Sequence, residues 1–396
     1  MLEFELARQR ILELITPLTS ELIPVAEADG RVLAEDLVSG VDLPPFDYSA
    51  MDGYAVQTRD FAGKGPWRLP VAGEQRAGGS SASLSPGSVC RIFTGAPLVE
   101  GADAVVMQED TERDGDTVTI TSAPSVLSHV RRRGEDLARG AVALSKGTRL
   151  NAFRVGLAAA LDVANLPVAR RPRVRLLCTG DELREPGSPD RPGSIPDSNG
   201  PSLSALVRRA GAEIARLPRC SDDLTETRQA IRGALAECDV LLTVGGVSVG
   251  DHDIVKAALE AEGVSIDFWK VKIKPGKPLA FGRRDQAFVL GLPGNPVSAQ
   301  LTLSLFGLPL LRALQGDRRP FPIPIRVELA APLAQKPGRL GFYRARLEGS
   351  VAHVHRNQAS GAPTSMAQAD ALVMLPETST GAAAGEQVSA LRLDDL

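Results

Sequence analysis

Three short apolar runs, residues 174–178, 240–244 and 288–290, each end at a Gly- or Pro-containing loop and read as buried strands. Helix-like stretches lie between them at 202–210, 224–236 and 254–261. Strands alternating with helices predict βαβ units and a parallel sheet. A further strand is expected at 213–217. Upstream, residues 2–15 place Leu2, Leu6, Ile11, Leu12 and Ile15 near one side of a helix that Pro17 closes. An ordered piece at 31–38 follows the Asp29-Gly30 turn. Short apolar runs at 71–73, 89–93, 104–107 and 117–120, separated by Gly, Pro or Asp, predict a β-rich part. Asn151 is placed to cap a helix over 153–164. Over 342–347 a period of two sets Tyr343, Ala345 and Leu347 on one face and Arg344 and Arg346 on the other. Residues 381–396 read as a final loop and strand.

These elements predict a multi-domain α/β plus β protein. An elongated N-terminal α+β domain takes residues 1–41 and 131–171, interrupted by a β-rich inserted domain at 42–130. The α/β domain follows at 172–317 and a β domain closes the chain at 318–396. Arg170-Arg171-Pro172 and Arg318-Arg319-Pro320-Phe321-Pro322 are the linkers.

Composition narrows the partners. The chain has 396 residues, 43% apolar and 23% charged, ordinary for a soluble globular protein. A net charge of −3 gives no global attraction to nucleic acid or an anionic membrane, so any anion site must be local. The four cysteines, Cys90, Cys178, Cys220 and Cys238, form no C-x-x-C pair, which argues against a zinc or redox motif and fits a reducing cytoplasm. No signal-peptide core is read in residues 1–10, and no run is read as a bilayer span. Neither nucleic acid nor a membrane is expected as a partner.

In a parallel sheet, ligands bind where the loops at the carboxyl ends of the strands meet. Here those loops are rich in chemistry. TGDEL (179–183) has Gly180 for a sharp turn, then Asp181 and Glu182, hard oxygen donors suited to Mg²⁺. Of Asp222 and Asp223, one is expected to cap a helix, leaving the other to reach a metal. GGVSVGDHD (245–253) pairs Gly245 and Gly246 with the Ser248 hydroxyl ahead of a helix, an anion cradle by composition. Asp251 and Asp253 on that loop would repel a bare phosphate unless a cation intervenes. Lys272, Lys274 and Lys277 stand in a Pro-stiffened stretch, KIKPGKP. LPGNPVS (292–298) brings Gly294, Asn295 and Pro296 to another helix start. Each string alone also reads as an ordinary turn with a helix cap. Asp52, Thr94 and Glu109 are unremarkable alone, and His353 and His355 read as a solvated face.

Taken in order, the strings SAMDGYA (49–55), RIFTGAP (91–97), GADAVVMQE (101–109), RRGED (132–136), TGDEL (179–183), GGVSVGDHD (245–253), KPGKP (274–278) and GLPGNPVSA (291–299), with the looser SGAPTSMAQADAL (360–372), resemble one family. It is the MoeA-type molybdopterin molybdenumtransferases of molybdenum-cofactor biosynthesis. The resemblance implies four domains, with a three-layer α/β molybdopterin-binding domain and a small barrel-like C-terminal domain. It also implies a head-to-tail homodimer with each active site at the dimer boundary.

The implied reaction inserts molybdate into the dithiolene of adenylylated molybdopterin, with Mg²⁺, and releases AMP. Lys274 and Lys277 would hold oxyanions, assisted by Gly180, Asp181, Gly245, Gly246, Ser248, Gly294, Asn295 and Pro296 around the pterin. Glu182, Asp222 and Asp253 would hold Mg²⁺. Asp52 and Thr94 would come from the partner chain, and Arg344 and Ser365 from the C-terminal domain. The family commonly has Glu, then Asp two positions on, after the double-glycine loop; this chain has Asp251, then Asp253. Related molybdopterin adenylyltransferases usually follow the double glycine with Thr-Gly, whereas here it is Val247-Ser248. Adenylyl transfer, or a non-catalytic scaffold role like that of the relative gephyrin, are the alternatives. A molybdopterin adenylyltransferase and molybdoenzymes are the implied pathway partners.

Overall fold

The computed structural model describes residues 1–79, 83–220, 223–246 and 254–396. The βαβ pattern builds a six-stranded sheet in the order Glu213–Arg216, Arg173–Cys178, Val240–Val244, Ala287–Leu292, Pro278–Arg284, Ser265–Lys270. The first four strands are parallel. The sheet as a whole is mixed, which corrects the all-parallel expectation: Pro278–Arg284 runs antiparallel to both its neighbours. The cause is local. Only Asp285 and Gln286 separate Arg284 from Ala287, with Asp285 at φ 53°, and a two-residue connection joins only antiparallel strands.

Helices cover both faces of this sheet. All five residues of Val240–Val244 are buried, as a strand sandwiched between helices requires. Val240, Leu242 and Val244 pack with Leu203 and Leu301 on one side, and Leu241 packs with Ile231, Leu235 and Leu259 on the other. Asp223 caps Leu224–Glu237 by accepting from the Glu226 amide at 2.8 Å; Asp222 lies outside the described residues.

Pro296–Leu314 is long and apolar enough to cross a membrane, against the sequence reading, but 83% of it is buried inside the protein. It is a core helix. Its middle, Leu303–Gly307, is π-helical, two residues ahead of Pro309, which has no amide N–H to donate.

The first helix, Phe4–Glu13, buries Phe4, Ala7 and Ile11; Ile11 belongs to the expected stripe, but Leu6 is 39% exposed. Phe4 decides the rotation. Its ring meets Phe306 at 5.5 Å and Phe342 at 5.6 Å, both edge-on. Beyond it, Ser20–Pro24 pairs antiparallel with Asn165–Ala169, and Leu37–Val38 with Val142–Leu144. The helix capped by Asn151 spans only Ala152–Ala160, because Asp162 turns the chain at φ 60° before the strand Asn165–Ala169.

Between these paired segments stands a second six-stranded sheet, in the order Ala104–Met107, Gly53–Val56, Val89–Ile92, Trp67–Gln75, Thr117–Ile120, Thr111–Asp114. At the C-terminus, Leu340–Glu348, Val351–Val354, Ile325–Leu329, Gln387–Arg392 and Ala371–Leu375 close into a five-stranded barrel. Tyr343, Ala345, Val373 and Ala390 fill it. The expected alternation holds for Tyr343 and Ala345, but Arg344 on the outer face is fully buried.

The linker at Arg170 is pinned to the α/β sheet by Asp239, which accepts from both Arg170 guanidinium nitrogens at 2.7 Å and from the Arg173 amide at 2.7 Å. Burial disfavours its ionised form, but the Arg170 and Arg173 hydrogen bonds outweigh this and hold the carboxyl below its ordinary range.

Two outcomes follow from this packing. Phe4→Ala, which opens a void between three segments, is expected to cost about 3–5 kcal/mol, read as a lowered midpoint of chemical unfolding. The Asp239 contribution is fully present above the ordinary carboxyl pKa of about 3.9 and lost as pH falls through the lowered native value. Asp239→Asn should therefore lower the melting temperature at neutral pH and narrow the gap to wild type as the pH drops below about 4.

Candidate active site

The loops after three strands lie side by side at one edge of the α/β sheet. The Thr179 amide donates to Val244 O at 3.1 Å, and the Gly245 amide to Leu292 O at 3.2 Å. The Thr179 hydroxyl also donates to Val244 O at 3.3 Å. Gly245 and Gly246 have φ of 90° and 61°, where a side chain is strained. A Cβ on Gly245 would press on Thr179 O and Oγ1 at 3.0 Å, and one on Gly294 would come within 3.7 Å of the Gly245 Cα. Small residues here let three backbones touch. Residues 247–253, with Ser248, Asp251 and Asp253, lie outside the described residues.

Gly294 leads into a second group. Its carbonyl accepts from Asn199 Nδ2 at 2.8 Å, and its neighbour Asn295 lines a cleft of about 300 Å³ with Lys274, Lys277 and Arg339. Asn295 Nδ2 donates to Ser360 Oγ at 3.1 Å. Pro296 takes the first turn of the helix Pro296–Thr302. The lysine loop is shaped by close packing: a Cβ on Gly276 would meet Thr302 Cγ2 at 2.7 Å. The third lysine of the string is elsewhere engaged, since Lys272 pairs with Glu3. Arg339 and Asn199 were not foreseen. Neither carries a sequence signal, because both reach the site through tertiary pairing.

Glu182 is exposed just past Arg173–Cys178, with its carboxylate folded over Gly180, where a Cβ would collide with it. That carboxylate makes no hydrogen bond or ion pair among the described residues, so this member of the expected set fits a hard divalent cation. Asp181 is exposed, and its carbonyl accepts from Arg191 at 3.0 Å. No group of three or more potential metal ligands occurs among the described residues; Asp222 and Asp253 lie outside them. Burial pushes the Cys178 thiol up to about 12 and Cys238 to about 11, which leaves them as inert thiols.

Asp52 and Thr94 form a pair of their own: Asp52 Oδ1 accepts from the Thr94 amide at 2.8 Å and its hydroxyl at 2.9 Å. The hydrogen bond from the Thr94 amide first, then that from its hydroxyl, hold the Asp52 carboxyl below its usual range. Neither residue lines the lysine cleft.

Residues 2–161 match the MoeA N-terminal region (domain I and II), 175–313 the probable molybdopterin binding domain, and 326–393 the MoeA C-terminal region (domain IV). The chain is 39% identical over 359 residues to the molybdopterin molybdenumtransferase of Haemophilus influenzae, covering 89% of this chain and 88% of the relative. The chain belongs to the MoeA family. It is 37% identical over 380 residues to molybdopterin molybdenumtransferase 2 of Mycobacterium tuberculosis, covering 92% and 93% of the two chains. The crystal structure of the molybdopterin biosynthesis moeA protein from Pyrococcus horikoshii superposes with a TM-score of 0.87 at 30% identity, covering 99% of this chain and 100% of that one.

In this MoeA chain Arg344 and Ser365 act on each other. Arg344 Nε donates to Ser365 Oγ at 3.2 Å, and its Nη2 to Asn357 O at 3.3 Å and Ala359 O at 3.1 Å. Burial pulls the guanidinium's pKa below its usual range. With no exposed surface, Arg344 holds the 357–360 segment, which carries the Ser360 that meets Asn295, while its Nη1 is buried without a partner. Arg344→Lys keeps the charge but lacks the planar fork. It should cost roughly 1.5–3 kcal/mol and speed amide exchange at residues 357–360, while the barrel strands stay protected.

Proposed function

We propose that this chain inserts molybdate into the dithiolene of adenylylated molybdopterin and releases AMP. The observation that supports it most directly is the join at Gly294-Asn295, where the glycine-lined strand ends meet the cleft of Lys274, Lys277 and Arg339. Both reactants are anions. Bringing a pyrophosphate-bearing pterin and an oxyanion together in a low-dielectric cleft requires fixed cations.

On this reading Lys274 and Lys277 hold the molybdate or phosphate oxygens as ammonium point charges. Backbone amides at Gly180, Gly246 and Gly294 approach the pterin and its phosphates closely because no Cβ intervenes; Gly245 shapes the turn between them and the Ser248 hydroxyl adds a donor. Asn295, Asp181 and Pro296 shape that rim. Glu182, Asp222 and Asp253 hold Mg²⁺, which when bound neutralises charge on the phosphoanhydride. Asp52, kept ionised by Thr94, is supplied by the partner chain of a head-to-tail homodimer and orients molybdate or a water. Arg344 and Ser365 position the 357–360 side of the cleft. The reaction takes place in the cytoplasm, downstream of a molybdopterin adenylyltransferase and upstream of molybdoenzymes.

An AMP-release assay on purified protein with adenylylated molybdopterin tests this. Release should require both molybdate and Mg²⁺. Lys277→Ala should slow it by about 100-fold, the scale for losing one fixed electrostatic partner. Asp52→Ala should suppress it while sedimentation still shows a dimer. Protein that binds the adenylylated pterin but releases no AMP would refute the proposal, as would ATP consumption with free molybdopterin in place of AMP release.

A further inference from the structure

A second cationic cleft, of about 740 Å³, shares no lining residue with the lysine cleft. Its arginines come from three separate stretches of the chain: Arg149 and Arg154, Arg209, and Arg312 with Arg318 and Arg319. Two carboxylates, Asp317 and Asp395, face these six guanidinium groups. In a chain whose net charge is −3, this is a strong local excess of positive charge.

The excess is built in rather than scattered on the surface. Arg149 spends Nε on Asp317 at 2.9 Å and Nη1 on Gly30 O at 3.0 Å, and its Nη2 is buried without a partner. Arg209 donates to Asp394 O at 2.9 Å, and Arg312 to Pro320 O at 3.4 Å and Asp395 O at 3.2 Å. Carbonyl oxygens orient these groups without neutralising them. Burial first, and then the neighbouring Arg149, disfavour the charged form of Arg312, which is the cost of holding like charges together. Arg318 and Arg319 are exposed, with no side-chain hydrogen bond or ion pair among the described residues. An apolar wall completes the cleft: Phe321, Pro322 and Ile323 line it, and Ile323 is 68% exposed.

We infer that this cleft is a second binding site, for an organic phosphate. Guanidinium forks match phosphate oxygens in pairs. The volume suits a molecule of nucleotide size, and the Phe321–Ile323 wall takes its less polar body. The partnerless Arg149 nitrogen and the two unpaired arginines of the linker supply the donors. A bound phosphate relieves the mutual repulsion around Arg312 and ties the linker at 317–323 to the helix ends that carry Arg154, Arg209 and Arg312.

Calorimetric titration of the full chain with pyrophosphate, and separately with AMP, tests the site. The Arg318→Gln/Arg319→Gln double variant removes two exposed groups and should keep the wild-type melting temperature. Added to the Lys274→Ala/Lys277→Ala variant, whose other cleft no longer holds phosphate, it should weaken pyrophosphate binding at least tenfold. A Lys274→Ala/Lys277→Ala variant should retain this arginine-dependent binding, with an affinity that falls as salt is raised. AMP should bind more tightly than inorganic phosphate in the same lysine variant. Loss of all pyrophosphate binding in the lysine variant, or indifference to the arginine substitutions, would overturn the inference. So would a shift in sedimentation without a change in affinity, which would assign the arginines to a second copy of the chain.

Discussion

The backbone hydrogen bonds around residues 270–274 hold the active-site half of the molecule together. The Leu2 amide donates to Lys270 O, the Lys272 amide to Leu2 O and the Leu340 amide to Lys272 O, each at 2.9 Å. The two-residue strand Ile273–Lys274 then runs parallel to Leu340–Gly341. One short segment is thereby bonded to the N-terminus, to the α/β sheet it leaves and to the C-terminal barrel. Such bonds are individually modest, but here they fix where Lys274 and Lys277 stand relative to Asn295 and Ser360. The Phe4, Phe306 and Phe342 rings pack the same three parts of the chain behind that seam.

Electrostatics then explains why the charged groups are distributed as they are. A protein of net charge −3 has no long-range field to gather anions, so it concentrates cations where two segments meet. In both cationic clefts the charges come from distant stretches and are oriented by backbone carbonyls, neighbouring side chains or tight turns. Where a cation is not needed for binding it is neutralised: Lys272 by Glu3, Arg170 by Asp239, and Arg228 and Arg232 by Glu262. The Glu262 carboxyl, with the Arg232 hydrogen bond as the main cause, is held at about 2.

Much of this protein was legible from its residues alone. Buried strands flanked by glycine loops, the Asn151 cap and the apolar alternation around Tyr343 follow from periodicity and local sterics, which act over a few residues. The ordered strings from SAMDGYA to GLPGNPVSA pointed to the MoeA family because short motifs in a fixed order over a whole chain are specific even when each is weak. The tertiary structure decided what depends on contacts far apart in sequence. It turned Phe4–Glu13 onto Phe4 rather than Leu6, because Phe306 and Phe342 lie there. It reversed Pro278–Arg284 within the sheet and buried Arg344, which a period-two pattern puts on the face opposite Tyr343 and Ala345, because residues 357–365 cover that face of the barrel. It took Lys272 out of the anion cleft, brought Arg339 into it and Asn199 to the Gly294 carbonyl, and gathered six arginines into a second cleft. Local propensity sets which elements form, but charge convergence is a property of packing, and packing is written in no single stretch of the chain.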